Sequence, residues 1–188
     1  SNDFDKNGFI DPILTFRAND GKDYPYALRH NLIDQIKSLK KIFPDYQSFK
    51  DADIVAMFGE EQLKDVRKLE ATTLSSVILI NNGNLNFDVN ELPKAAQFTP
   101  VDAIATNDFD RDGDQDILVG GNLYNVKPEV GRYDASYGIY LENKGDLKFN
   151  YHKGGNGFSV KGEIRDIQLI DTKIFVARNR DSFVIFNY

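Results

Sequence analysis

The 188-residue chain has no cysteine, no tryptophan, one methionine and two histidines. Without cysteine there is no disulfide framework, no thiolate zinc site and no cysteine nucleophile. His30 and His152 alone are poor material for a histidine-built metal site or catalytic triad. No apolar run approaches the roughly 18 residues that span a bilayer, so no membrane span is expected. Positive charge is also short: 23 Lys and Arg face 29 Asp and Glu, a formal net charge of −6. That balance argues against a sequence-independent grip on nucleic acid phosphates. The chain also lacks a Gly-x-Ser-x-Gly elbow, a His-Glu-x-x-His pair and a phosphate-cradling glycine loop. With 41% hydrophobic residues it can still bury a sizeable core.

What is present is repetition. The run Asn2-Asp3-Phe4-Asp5-Lys6-Asn7-Gly8-Phe9-Ile10-Asp11 recurs as Asn107-Asp108-Phe109-Asp110-Arg111-Asp112-Gly113-Asp114-Gln115-Asp116. Each copy leads into an apolar stretch, Ile13-Leu14-Thr15-Phe16 and Ile117-Leu118-Val119. A second echo sets Leu79-Ile80-Asn81-Asn82-Gly83 against Leu141-Glu142-Asn143-Lys144-Gly145, 62 positions apart. A third sets Val101-Asp102-Ala103-Ile104 against Ile164-Arg165-Asp166-Ile167, 63 positions apart. Two independent offsets therefore define a unit of about 60 residues. The chain opens inside a repeat, at Ser1-Asn2-Asp3, and is expected to be a piece of a longer protein.

The acidic runs are 105 positions apart, so the first unit carries an insertion, assigned to residues 27–69. Leu28, Leu32, Ile36, Leu39 and Phe43 mark one face of an amphipathic helix, which Pro44 closes. Ser48 is expected to cap a second helix ending at Gly59, with a third over residues 60–68. Elsewhere the patterning is that of strands. Residues 77–80 turn at Asn82-Gly83 into Leu85, Phe87 and Val89, and residues 136–142 turn at Lys144-Gly145 into Leu147, Phe149 and Tyr151. Residues 164–170, 174–177 and 183–186 are three more short strands. About four strands per unit in meander order is the composition of a propeller blade. The expected fold is mainly β: an incomplete β-propeller of about three blades over residues 1–188, with the α-helical insertion inside the first. A closed ring of seven such units would need roughly 420 residues, so remaining blades of a parent chain are expected partners.

Asp3, Asp5, Asn7 and Asp11 place side-chain oxygens at relative positions 1, 3, 5 and 9, as do Asp108, Asp110, Asp112 and Asp116. A hard cation such as Ca2+ takes six to eight oxygens, which alternate residues of a tight turn can supply. Gly8 and Gly113 occupy position 6, where the turn is sharpest, and the carbonyls of Phe9 and Asp114 at position 7 are natural backbone ligands. An EF-hand does not fit, because position 12 is Leu14 or Val119 and a strand pattern follows. Ordinary polar turns use the same residue types, but two copies in register favour a metal.

This Asp-x-Asp-x-Asn/Asp-Gly-x-x-Asp pattern before an apolar strand resembles the calcium loop of FG-GAP (VCBS-type) repeats. The resemblance implies an integrin-alpha-like β-propeller, a role in calcium binding, and a secreted, periplasmic or cell-surface setting. Residues 131–138 are similar, less closely, to secreted bacterial multi-repeat proteins that carry an ASPIC/UnbV-type segment. The third unit departs from the pattern, since Asp171-Thr172-Lys173 joins its strands directly, and it is assigned no metal.

Arg132, Tyr133, Asp134 and Tyr137 stand between glycines, a composition that suits a ligand-contacting loop and equally suits anchors between neighbouring blades. Lys37, Lys40 and Lys41 read as a solvated face. No residue is nominated as catalytic. The function expected is therefore a non-enzymatic, calcium-binding propeller module for extracellular protein or glycan partners. The alternative, again by resemblance, is a fragment of a propeller-based polysaccharide lyase or other glycan-active enzyme.

Overall fold

The computed structural model describes all residues, 1–188, and divides into two compact units, Ser1–Thr72 and Thr73–Tyr188. The fold is mainly β, built of small antiparallel sheets. No helix is long and apolar enough to cross a membrane.

In the first unit an acidic turn closes on itself through an isolated bridge between Asn2 and Asp11. A short hairpin follows, β1 (Thr15–Arg17) paired with β2 (Asp23–Pro25), its turn end tied by the bidentate Arg17–Asp23 ion pair at 2.8–2.9 Å. Four short helices come next: α1 (Arg29–Gln35), α2 (Leu39–Ile42), α3 (Tyr46–Phe49) and α4 (Ile54–Leu63). They enclose a core of Leu32, Ile36, Leu39, Phe43, Ala52 and Met57.

The single amphipathic helix expected here is in fact α1 and α2, separated where Ile36 turns extended (φ −121°, ψ 91°). Leu32, Ile36, Leu39 and Phe43 are nonetheless all buried, and only Leu28 is exposed. Hydrophobic spacing reports which side chains face the core; it does not require an unbroken hydrogen-bond ladder between them. Ser48 is not a cap. Asp45 holds that position on α3, accepting the Ser48 N–H at 2.8 Å, while Ser48 completes a capping box from inside the helix. Asp53 caps α4 by accepting the Ala56 N–H at 2.7 Å, and at Gly59 (φ 72°, ψ 157°) the backbone leaves the helical region, so two short helical segments meet at the stop expected there. Asp53→Ala should cost about 1 kcal/mol in urea unfolding, the usual worth of such a cap.

The second unit is a succession of sheets in chain order. The hairpin β3 (Val77–Asn81) with β4 (Phe87–Glu91) precedes a four-stranded meander of β5 (Val101–Asn107), β6 (Asp116–Gly121), β7 (Ile139–Asn143) and β8 (Phe149–Tyr151). The third sheet orders β9 (Ile164–Ile170), β10 (Lys173–Arg178) and β11 (Val184–Asn187). The central sheet is covered on both faces. Ile117, Val119, Ile139 and Leu141 pack with Ala96, Ile78 and Leu92 on one side. Leu118 and Tyr140 pack with Phe158, Ile164, Ile167, Ile174 and Val176 on the other. Burial on both faces explains why Ile117-Leu118-Val119 is continuously apolar where a half-exposed strand would alternate.

The repeats recur as geometry. Asn81 and Asn143 each accept the N–H of the glycine two residues on, Gly83 at 2.9 Å and Gly145 at 3.1 Å. The turns are longer than the tight Asn-Gly hairpin expected, because Gly83-Asn84-Leu85 and Gly145-Asp146-Leu147 all adopt positive φ. Leu85 and Leu147 therefore belong to the turns and not to the strands. The 63-residue echo places Asp102 on β5 and Arg165 on β9, which meet across the sheet interface at 2.5 Å.

Candidate metal centre

Both acidic turns wrap in the same way. In the first, Asp3 accepts the N–H groups of Asn7 and Gly8 at 3.0 and 2.9 Å, Asp5 accepts Asn7 at 3.2 Å, and Asn7 accepts Phe9 at 2.8 Å. In the second, Asp108 accepts Asp112 and Gly113 at 3.1 and 3.0 Å, Asp110 accepts Asp112 at 3.2 Å, and Asp112 accepts Asp114 at 3.0 Å. Gly8 (φ 90°) and Gly113 (φ 101°) make the reversal that a Cβ would strain. Asp11 and Asp116 close the turns by accepting the Phe4 and Phe109 N–H groups, each at 3.0 Å.

This wrap brings one carboxylate oxygen from each of Asp3, Asp5 and Asp11 within 4.8 Å of the others, and likewise for Asp108, Asp110 and Asp116. Two oxygens on opposite sides of an ion at about 2.4 Å stand about 4.8 Å apart, so the spacing admits a calcium-sized ion. The donor set fits as well: carboxylates, the position-5 side chains of Asn7 and Asp112, and the carbonyls of Phe9 and Asp114 offer oxygen and neither nitrogen nor sulfur. The side chains of Asn7 and Asp112 each spend one oxygen on the position-7 N–H, which keeps that peptide in place.

The closing acids are anchored differently. Asp116 is fully buried and accepts from Phe109 N–H, the Tyr140 hydroxyl at 2.9 Å and Asn143 N–H at 2.8 Å. Burial and this hydrogen bond push the Tyr140 hydroxyl far up from its ordinary value, so it remains a donor. Phe109 meets the ring of Tyr188 edge to face at 5.1 Å and that of Tyr140 edge to face at 6.2 Å. Asp11, also buried, has Gln35 Nε2 of α1 at 3.2 Å in place of the β7 donors.

Four residues at the second turn carry no motif signal: Tyr140, Asn143, Glu142 and His152. Tyr140 and Asn143 become visible only once the β6–β7 register sets them beside Asp116. Glu142 is nearly buried and bonded to Lys144 and His152. Lys144 above all, then His152, holds its carboxyl below the ordinary 4.5. Asp110 moves the other way: desolvation first, then the Glu142 carboxyl and the charges of Asp116 and Asp112, raise it above the ordinary range. The Glu142–Lys144 ion pair therefore stabilises above pH 4.5 and is lost as pH falls through the depressed Glu142 value. Melting temperatures of wild type and Glu142→Gln should differ at neutral pH and converge in acid.

The residues expected to meet a ligand are not brought together. Arg132, Tyr133, Asp134 and Tyr137 are all exposed, and no hydrogen bond or ion pair joins them. Arg132 lies over the Tyr124 ring at 5.4 Å, and the backbone of Tyr133 bridges to Leu123. His30 is bonded to the Tyr46 hydroxyl at 2.7 Å. Asp171 and Thr172 alone connect β9 to β10.

A comparison of the chain with known protein families, curated proteins and solved structures finds no match in any of the three.

Proposed function

We propose that this chain is a calcium-stabilised β-propeller module of the FG-GAP (VCBS) type, working without catalysis outside the cytoplasm and presenting its loops to a protein or glycan partner. The observation that carries the reading is the double occurrence of one wrap: two separate segments fold the same residue types into the same hydrogen-bond pattern around converging carboxylates. Ordinary polar turns need no such agreement. The stacked order of the β3–β4 hairpin and the β5–β8 and β9–β11 meanders supports reading them as successive blades of an arc. The cation's role is structural: it neutralises carboxylates that would otherwise repel and pins the turn that leads into the next strand.

Calcium added to chelated protein should raise the melting temperature, and EDTA should reverse the gain. Asp110 is the residue to test, because it is exposed, the backbone N–H it accepts lies within the turn, and outside the turn its carboxyl faces only the like-charged Glu142. Asp110→Ala should leave the chelated protein's melting nearly unchanged and reduce the calcium-dependent rise. An identical curve with calcium and with EDTA would overturn the proposal.

A further inference from the structure

We propose that in the first unit the acidic turn holds the helical segment in its packing, so that whatever orders or releases the turn orders or releases the helices. Three contacts make the link. Phe4, between the first two acids, stacks on Phe58 of α4 with ring centroids 4.0 Å apart. Asp11 and Pro12 accept from the side-chain amide of Gln35, at the end of α1, at 3.2 and 3.4 Å. Ile13, just beyond the turn, packs with Phe4 against the helical core.

The helices have little order of their own to set against this. Isolated helices shorter than about 12–15 residues are marginal in water. α1 has seven residues and no capping side chain at Leu28, and α4 is interrupted at Gly59. Order must come from tertiary contacts, and the turn supplies several of them. The comparison with the second unit sharpens the point. There the closing acid Asp116 is gripped by Tyr140 and Asn143 of a strand, whereas in the first unit the side-chain grip on Asp11 comes from a helix.

The trigger is the ion, a step that rests on the calcium reading above. With the cation in place, Asp11 and Phe4 are fixed, and α1 and α4 gain a rigid surface to pack on. Without it, repulsion among Asp3, Asp5 and Asp11 loosens the turn and the helices lose that support.

Hydrogen exchange of the whole chain, with calcium and with EDTA, tests both steps. With calcium present, Phe4→Ala should speed exchange of α1 and α4 amides about tenfold while leaving residues 73–188 unchanged. Calcium should slow the same amides in wild type by about tenfold. Gln35→Leu should lose the slowing in α1 while terbium luminescence, read in an Asp108→Ala/Asp110→Ala background that removes the second site, still reports an ion in the first turn. Helical exchange untouched by Phe4→Ala would overturn the coupling. Terbium bound with no change in the helices would overturn the ion's control of them, leaving the calcium reading intact. No terbium bound at all would overturn that reading and the ion step together.

Discussion

Asp116→Ala should destabilise the second unit by about 3–5 kcal/mol, the largest effect expected of any acid in the chain. The reason is the number of donors that depend on it. The Phe109 N–H, the Asn143 N–H and the Tyr140 hydroxyl all end on this fully buried carboxylate. Removing it strands all three, and a buried donor without a partner costs its full desolvation. Asp116→Asn should fall between alanine and wild type, since one face of the amide still accepts. Urea unfolding in EDTA measures this free of any cation. Asp110→Ala under the same conditions should cost under about 1 kcal/mol, since Asp110 is exposed and its removal relieves repulsion from Glu142, Asp116 and Asp112. The contrast separates what an acid contributes to the fold from what it offers an ion.

A second large loss is expected of Gly121→Ala. A Cβ there would sit 1.7 Å from the Pro100 carbonyl oxygen and 2.8 Å from its carbonyl carbon, both backbone atoms that no rotamer change can move aside. The end of β6 would have to leave its pairing with β5, where Gly121 stands opposite Val101. The expected cost is about 3 kcal/mol or more, at the upper end for overpacking. Gly120→Ala should be milder, because its Cβ meets the Ile164 side chain and not backbone. Chemical denaturation of the two variants checks the order.

Much of this was legible in the sequence, and the pattern of success has a physical basis. The acidic turns were readable because every feature they need is local: alternate oxygens, a glycine at the reversal and nine consecutive residues. Apart from β5, whose residues 101–104 show only as a repeat echo, the strands of the second unit are readable from apolar runs, alternation and turn residues, to within a few positions at their ends. The residues that anchor Asp116 were not, because Tyr140 and Asn143 lie 24 and 27 positions away and reach it only through sheet register. Ser48 is misplaced as a cap because the helix starts three residues earlier, where the Asp45 carboxylate accepts the Ser48 N–H and does what a capping hydroxyl would. The break after α1 left no sequence mark, because the buried spacing runs on across it. Gly83 and Gly145 announced turns but not their length, since Leu85 and Leu147 take a backbone conformation that leucine seldom adopts.

The most direct test of the central claim is a crystal structure of this chain grown with calcium, with anomalous differences recorded. The account predicts one peak within each acidic turn, at the centre of Asp3, Asp5 and Asp11 and of Asp108, Asp110 and Asp116, with six to eight oxygens at about 2.3–2.6 Å. The carbonyls of Phe9 and Asp114 should be among the ligands. Turns that keep their wrap in millimolar calcium but show no peak would contradict it.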